Sequence, residues 1–175
     1  MFLRRLMPEP TITRRRFLPQ RVRLAVLTAH IMISVGLLGD SAGFLAVAIR
    51  AARTQDPAAA IEQVKVLNMF SIVFGIPLSI GAIVTGVILG LGTKWGIFHC
   101  PWVTLKLLLI LSVMLVGGLF IGPAQALILE RGGHAFDQLI AAAAYDVIAL
   151  ALATGLSVFK PGARFRRETI FTPDA

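Results

Sequence analysis

Four long apolar segments dominate the sequence and leave few choices for its fold. They cover 24–49, 66–91, 102–129 and 139–159, and each is long enough to cross a bilayer as a helix, which takes about 20 residues. None shows the alternation of a barrel strand, and lipid offers no hydrogen-bond partner to an open backbone. The sequence therefore predicts an all-α fold, a transmembrane four-helix bundle that forms one membrane domain over 24–159.

The composition agrees with a chain that lies in lipid. Hydrophobic residues make up 57% of the sequence and charged residues 15%, whereas about a quarter of the residues in a soluble domain are charged. The mean hydropathy is +0.81. These values indicate an integral membrane protein. The one cysteine, Cys100, excludes an intramolecular disulfide.

The distribution of the basic residues predicts the orientation of the chain. Two basic tails, 1–23 and 160–175, lie on one side of the predicted membrane and carry eleven basic residues; Lys94 makes twelve on that side, against four on the other side. Because cytoplasmic segments carry the excess of Lys and Arg, we expect a multi-pass protein of the cell membrane with both termini cytoplasmic. The tails should contact anionic headgroups of the bilayer. Nucleic acid is not an expected partner, and the sequence leaves open whether the chain forms a homo-oligomer.

The first apolar segment has a second interpretation as an export signal. The stretch "TRRRFLPQ" at 13–20 resembles a twin-arginine signal, and Ala46 and Ala48 fit a small-x-small cleavage site. A signal core has about 7–15 apolar residues, far fewer than the segment 24–49. We therefore favour a first helix that stays in the protein.

Glycines and prolines within the segments predict how the helices pack. Small residues four positions apart let membrane helices approach closely, and three segments contain such a pair, which predicts a compact bundle. The pairs are Gly39 with Gly43, Gly86 with Gly90 and Gly118 with Gly122. Pro77 and Pro123 should each kink a helix, because proline removes a backbone hydrogen bond.

Four ionisable side chains lie within the apolar segments, where charges are rare and usually face the interior of a bundle. At 1.5 Å per residue, His30 and Lys106 lie about 9 and 6 Å from the cytoplasmic ends of their helices. Asp40 and Asp146 lie about 14 and 11 Å from the outer ends. We therefore expect a basic layer towards the cytoplasm and an acidic layer towards the outside.

Each of these groups has a structural and a functional interpretation. His30 suits a neutral imidazole bonded to a neighbouring helix, or a ligand of a haem or metal. Lys106 lies near a helix end and can extend to the headgroups. Asp40 and Asp146 are too deep for that, so they should be protonated, hydrogen-bonded or paired, or could together bind a proton or cation. No cluster predicts a metal site, and no set of residues suggests a catalytic group, so the question of an enzyme stays open.

Parts of the sequence resemble a known family. "AHIMISVGLLGDSAGFLAVA" and "IPLSIGAIVTGVILGLGTKWGIFHCPWVTLKLLL" resemble a family of bacterial four-helix integral membrane proteins defined by a domain of unknown function. Trp95, Trp102 and Lys106 fit its pattern, while Leu38 stands where the family typically has tryptophan. More distantly, His30 with Trp102 and Lys106 is similar to the copper-resistance D membrane domain and to membrane-bound protoporphyrinogen oxidase. That similarity implies that His30 would be an axial haem ligand and Lys106 a partner for a carboxylate.

Three functional hypotheses follow from the sequence. The first is a small redox or haem-associated membrane protein that uses His30 and Lys106 to bind the cofactor. The second is a transport or accessory protein that handles protons or cations through Asp40 and Asp146. The third is a structural membrane subunit in which these polar residues only stabilise the packing.

Overall fold

Four long helices make up the structure, a computed structural model that describes residues 19–91, 101–131 and 135–159. They are α1 (Gln20–Arg53), α2 (Pro57–Leu91), α3 (101–131) and α4 (Phe136–Phe159). Each contains a segment long and apolar enough to cross a membrane, and the described residues contain no strand. The predicted all-α four-helix fold is confirmed.

The helices are longer than the predicted segments at several ends. The stretch 50–65, which lies between the first two predicted segments, is mostly helical, and only 54–56 separates α1 from α2. Two features start helix α2 as early as residue 57. The Asp56 carboxylate accepts a hydrogen bond from the Ala58 N–H at 3.0 Å, and Pro57 occupies the first turn. The two predicted tails up to residue 18 and from 160, and the stretches 92–100 and 132–134, lie outside the described residues.

The helices form a ring in which each packs against two neighbours. α1 contacts α2 and α4, α3 contacts α2 and α4, and among the described residues no Cα atoms of the diagonal pairs lie within 8 Å of each other. We call the end with the 54–56 connection the hairpin end, and the end where α1 begins and α4 finishes the terminal end. The larger buried core lies at the hairpin end, and its members are Phe44, Ala48, Ala51, Val64, Leu67, Ile121, Ala124, Ile128, Ala135, Leu139, Ala142 and Ala143. A smaller core nearer the terminal end consists of Leu37, Val113, Ala149 and Leu150.

A π-helical turn interrupts both α2 and α3 near their middle. The turns are Ser71–Gly75 and Gly117–Ile121, in which the N–H groups of Ile76 and Gly122 bond the carbonyl groups five residues before them. A proline, Pro77 or Pro123, follows each turn closely. Because proline has no N–H and its ring clashes with the carbonyl four residues earlier, a wider turn before it relieves the clash. The irregularities predicted at these prolines therefore take the form of π-helical turns.

The two π-helical turns separate α2 from α3 in the middle of the bundle. Residues 57–70 pack on 122–131 towards the hairpin end, and residues 76–91 pack on 101–116 towards the terminal end. Between these contacts, no Cα atom of Ser71–Gly75 lies within 8 Å of one in Gly117–Ile121. The ring is therefore closed at both ends of this interface and open at its centre.

The glycine pairs do not all pack as the sequence predicts. Gly86 does face a neighbour, because a Cβ there would lie 3.4 Å from the His30 ring on α1. At Gly39, Gly43 and Gly118, however, a Cβ would meet no described atom within 4 Å. The prediction of close helix contacts at those three positions is wrong within this chain, since these glycines face open space.

Candidate functional site: an acidic cavity between the helices

A cavity of about 430 Å³ lies between the two buried cores and is lined by all four helices. The structure brings Asp40 from α1 and Asp146 from α4 together on its wall, the two carboxylates that the sequence placed at one depth. Five uncharged polar side chains also line it, namely Ser41, Asn68, Ser71, Ser79 and Gln125. The cavity is thus the place where the polar groups of the bundle interior converge.

Both carboxylates lack a hydrogen-bond partner for one buried oxygen. Asp146 is only 7% exposed, Asp40 is half-buried, and the Oδ1 atom of each has no partner among the described residues. Buried polar atoms are nearly always paired, because losing water without a replacement is costly. Neither Oδ1 atom is itself open to a water-sized molecule, so a proton, or a ligand that enters with a rotation of the carboxyl group, would supply the missing contact.

The π-helical turn of α2 makes room for Asp40. A Cβ at Gly75, the last residue of that turn, would lie 3.6 Å from the Asp40 Oδ2 atom. A larger side chain at this position would occupy the space next to the carboxylate. Asp40 therefore reaches across from α1 to the backbone of α2 at the point where α2 is irregular.

Gln125 is a site residue that the search for charges in the sequence missed. It lies on α3, is only 2% exposed, and its Nε2 atom has no partner among the described residues. Gln125 is the single amide side chain in the apolar stretch 102–129. That isolation is the feature of the sequence that would have identified it as a candidate site residue. Ser79 was overlooked in the same way, although it is buried at 6% exposure.

The exposed part of the cavity wall belongs to α2 and α3 alone. The residues contributed by α1 and α4 are buried or half-buried, whereas six from the other two helices are exposed. These six are Asn68, Ile72, Ile76, Met114, Gly118 and Gly122. Together with the separation of the two π-helical turns, this shows that the cavity opens sideways through a gap between α2 and α3, which we call the lateral window.

His30 forms a second polar site, nearer the terminal end. Its Nδ1 atom lies 2.8 Å from the Thr85 hydroxyl on α2, and its ring rests against Gly86. Lys106 on α3 is close enough to interact electrostatically with the imidazole. The structure thus brings together the two residues of the predicted basic layer, and neither of them lines the acidic cavity.

The hydrogen bonds of Thr85 determine the role of the His30 Nδ1 atom. The Thr85 hydroxyl donates to the Gly81 carbonyl at 2.7 Å, and a hydroxyl has only one proton to donate. The Nδ1 atom of His30 is therefore the donor in its contact with the Thr85 hydroxyl. No group of three or more His, Cys, Asp or Glu side chains that could hold a metal ion occurs in the described part of the chain.

Comparisons with protein-family models, with curated proteins and with solved structures found no match to this chain. The family resemblance therefore stays a prediction. The case for a function rests on the geometry of the two polar sites.

Proposed function

We propose that the chain is an integral membrane protein that binds a proton or cation at the acidic cavity, in the role of a transport or accessory protein. The observation that carries the proposal is that Asp40 and Asp146 line one cavity and each has a buried oxygen without a partner. A bound proton or cation satisfies such an oxygen and removes the cost of a buried charge.

The surface of the bundle supports the placement in a membrane. Large apolar side chains are exposed along all four helices, for example Met32 on α1 at 70%, Ile72 on α2 at 59% and Leu119 on α3 at 59%. Such an extended apolar surface suits lipid and not water. The excess of basic residues in the two tails supports cytoplasmic termini, which would place the hairpin end on the outer side.

Ionisable groups inside membrane bundles usually serve ion or proton pathways. The two carboxylates come from different helices, and neither has a basic residue among its neighbours on the cavity wall. A purely structural role would predict partners for these oxygens, as seen at the surface, where Glu62 pairs with Lys65 at 2.7 Å. The lack of such partners favours binding over packing.

Infrared difference spectroscopy of the purified protein tests the proposal. Spectra are recorded between acidic and basic buffers, and between buffers with and without Na⁺, K⁺ or Mg²⁺. We expect a carboxyl band from a weakly hydrated site that changes with pH or with added cation. Asp40→Asn and Asp146→Asn should each weaken this band, and the double variant should abolish it.

Asp137→Asn is the matched control, because Asp137 lies on the same helix as Asp146 but is exposed in its first turn. This variant should keep the band of the wild-type protein. Identical spectra for the wild-type protein and the double variant would refute the proposal.

A second candidate function, that of a haem-associated protein, rests on the electrostatic interaction of His30 with Lys106 in the second polar site. If a haem bound here, His30 would hold its iron, and the charge of Lys106, which acts on the imidazole, would suit a propionate. Haem would supply electron transfer at that position. The protein should be purified from cells supplied with haem, and a Soret band that is lost in His30→Ala would support this function. Absence of the band in the wild-type protein would exclude it.

A further inference from the structure

We propose that the acidic cavity takes a lipophilic organic cation, a protonated amine or quaternary ammonium with an apolar body, which enters from the bilayer through the lateral window. The inference rests on the proposed function, because both require Asp40 and Asp146 to interact with a positive charge. The class of ligand and its route into the cavity are new.

The charge of the cavity wall selects for a cation. Asp40 and Asp146 are the ionisable side chains among its described lining, and no Lys, Arg or His contributes to it. Gln125 points independently to a ligand, because it is almost completely buried on the cavity wall with an unpaired amide nitrogen. The two carboxylates can accept hydrogen bonds from a protonated amine, whereas the Gln125 Nε2 atom is a donor and would bond an acceptor atom elsewhere on the same ligand.

The size and the apolar part of the wall favour an organic ligand over a bare metal ion. The volume of about 430 Å³ falls within the range of small-molecule sites, about 300–1,000 Å³, which are mostly apolar with a few polar groups. Leu37, Phe44, Val113 and Ile121 supply the apolar surface here. A hard cation such as Ca²⁺ needs about six to eight oxygen ligands in close reach, whereas an ammonium needs one or two carboxylates and gains from a nearby aromatic ring.

The lateral window gives such a ligand a route that avoids water. Its exposed edges are mostly apolar, with Ile72 and Ile76 on α2 and Met114 and Gly118 on α3, and Asn68 is their polar member. It lies midway along both helices, at the depth of the acyl chains if the bundle spans a membrane. A molecule dissolved in the bilayer can therefore pass from the lipid to the carboxylates without first crossing an interface.

Binding of tetraphenylphosphonium tests the charge and size argument, with tetraphenylborate as a probe of the same shape and opposite charge. Equilibrium dialysis is performed on the protein in nanodiscs of zwitterionic lipid, with empty nanodiscs as the blank. We expect saturable binding of the cation and none of the anion. The Asp40→Asn/Asp146→Asn variant should bind the cation at least about tenfold more weakly, which corresponds to about 1.4 kcal/mol, and Asp137→Asn should bind like wild type.

Two outcomes would overturn the ligand class. One is equal binding of the anion and the cation, and the other is unchanged binding by the double variant. The result is separable from the proposed function. If the infrared bands respond to protons or inorganic ions while tetraphenylphosphonium does not bind, the organic ligand is excluded and the proposed function stands.

A substitution at Gly118 tests the route. A Cβ at Gly118 meets no described atom within 4 Å, so Gly118→Trp should fold and place its indole in the window. Gly39→Trp is the matched control, since Gly39 is equally open but does not line the cavity. We expect Gly118→Trp to slow association of tetraphenylphosphonium by about tenfold or more, and the control to leave it unchanged. Gly118→Leu is a milder variant if the tryptophan prevents folding, and wild-type association rates in the Gly118 variants would refute lateral entry.

Discussion

Replacing Asp146 by leucine should stabilise the protein while it removes cation binding. Asp146 is 7% exposed and its Oδ1 atom has no partner, and a buried polar group in that condition costs about 1–3 kcal/mol. Leucine has a similar branched shape, carries no polar atom, and its larger methyl groups can extend into the cavity and pack against the apolar part of the wall. Replacing buried charges by apolar residues of similar size is often neutral or stabilising by about 1–4 kcal/mol. We therefore expect Asp146→Leu to raise the free energy of unfolding by about 1–3 kcal/mol.

The assay is unfolding of the purified protein by increasing mole fractions of sodium dodecyl sulfate in mixed micelles, followed by circular dichroism without added cation. Asp137→Leu is the control, because Asp137 is exposed and surface substitutions usually change stability by less than about 0.5 kcal/mol. If Asp146→Leu instead lowers the free energy of unfolding by more than about 1 kcal/mol, the carboxylate contributes to the folded state. The reasoning from its unpaired oxygen would then be wrong.

Three further predictions concern the packing around the site. Pro77→Ala restores a backbone N–H to α2, so hydrogen exchange measured by mass spectrometry should slow in 71–76, and unchanged or faster exchange would contradict this. Gly86→Leu should lower the free energy of unfolding by about 1–3 kcal/mol through overpacking against the imidazole on α1, whereas Gly39→Leu, which meets open space, should not. Leu139→Ala should cost about 2–5 kcal/mol in the same assay, because the side chain is fully buried; a loss below 1 kcal/mol would show that the core at the hairpin end is loosely packed.

The sequence predicts the four helices and the levels of the deep carboxylates for simple physical reasons. An apolar stretch that spans a bilayer must be helical, and the rise per residue of a helix then gives the depth of each side chain. Depth alone is enough to predict that Asp40 lies at the level of Asp146 and that His30 lies at the level of Lys106. In the structure the first pair lines one cavity and the second pair interacts.

The cavity could not be predicted from the sequence, because it depends on how each helix is rotated about its axis. The depth of a residue in the membrane does not give that rotation. Gly39 and Gly118 match the small-residue spacing of a helix contact, yet both face open space, because the spacing does not say whether a face meets a helix or lipid. Gln125 and Thr85 carry no charge, so a search for ionisable residues passes over them although they complete the two polar sites. Pro77 predicts an irregular helix, but not whether it takes the form of a kink or a wider turn.

The π-helical turns also have a consequence for the register of the chain. A π-helical turn contains about one residue more than an α-helical turn, so Ser71–Gly75 holds one extra residue relative to a regular helix. Deleting one residue within it and replacing Pro77 would let α2 run as an uninterrupted helix, with the side chains on both sides of the deletion keeping their present faces. The two ends of the interface with α3 would retain their contacts while the centre closed. The gap in the bundle can thus be regarded as the product of two single-residue insertions in an otherwise regular four-helix sequence.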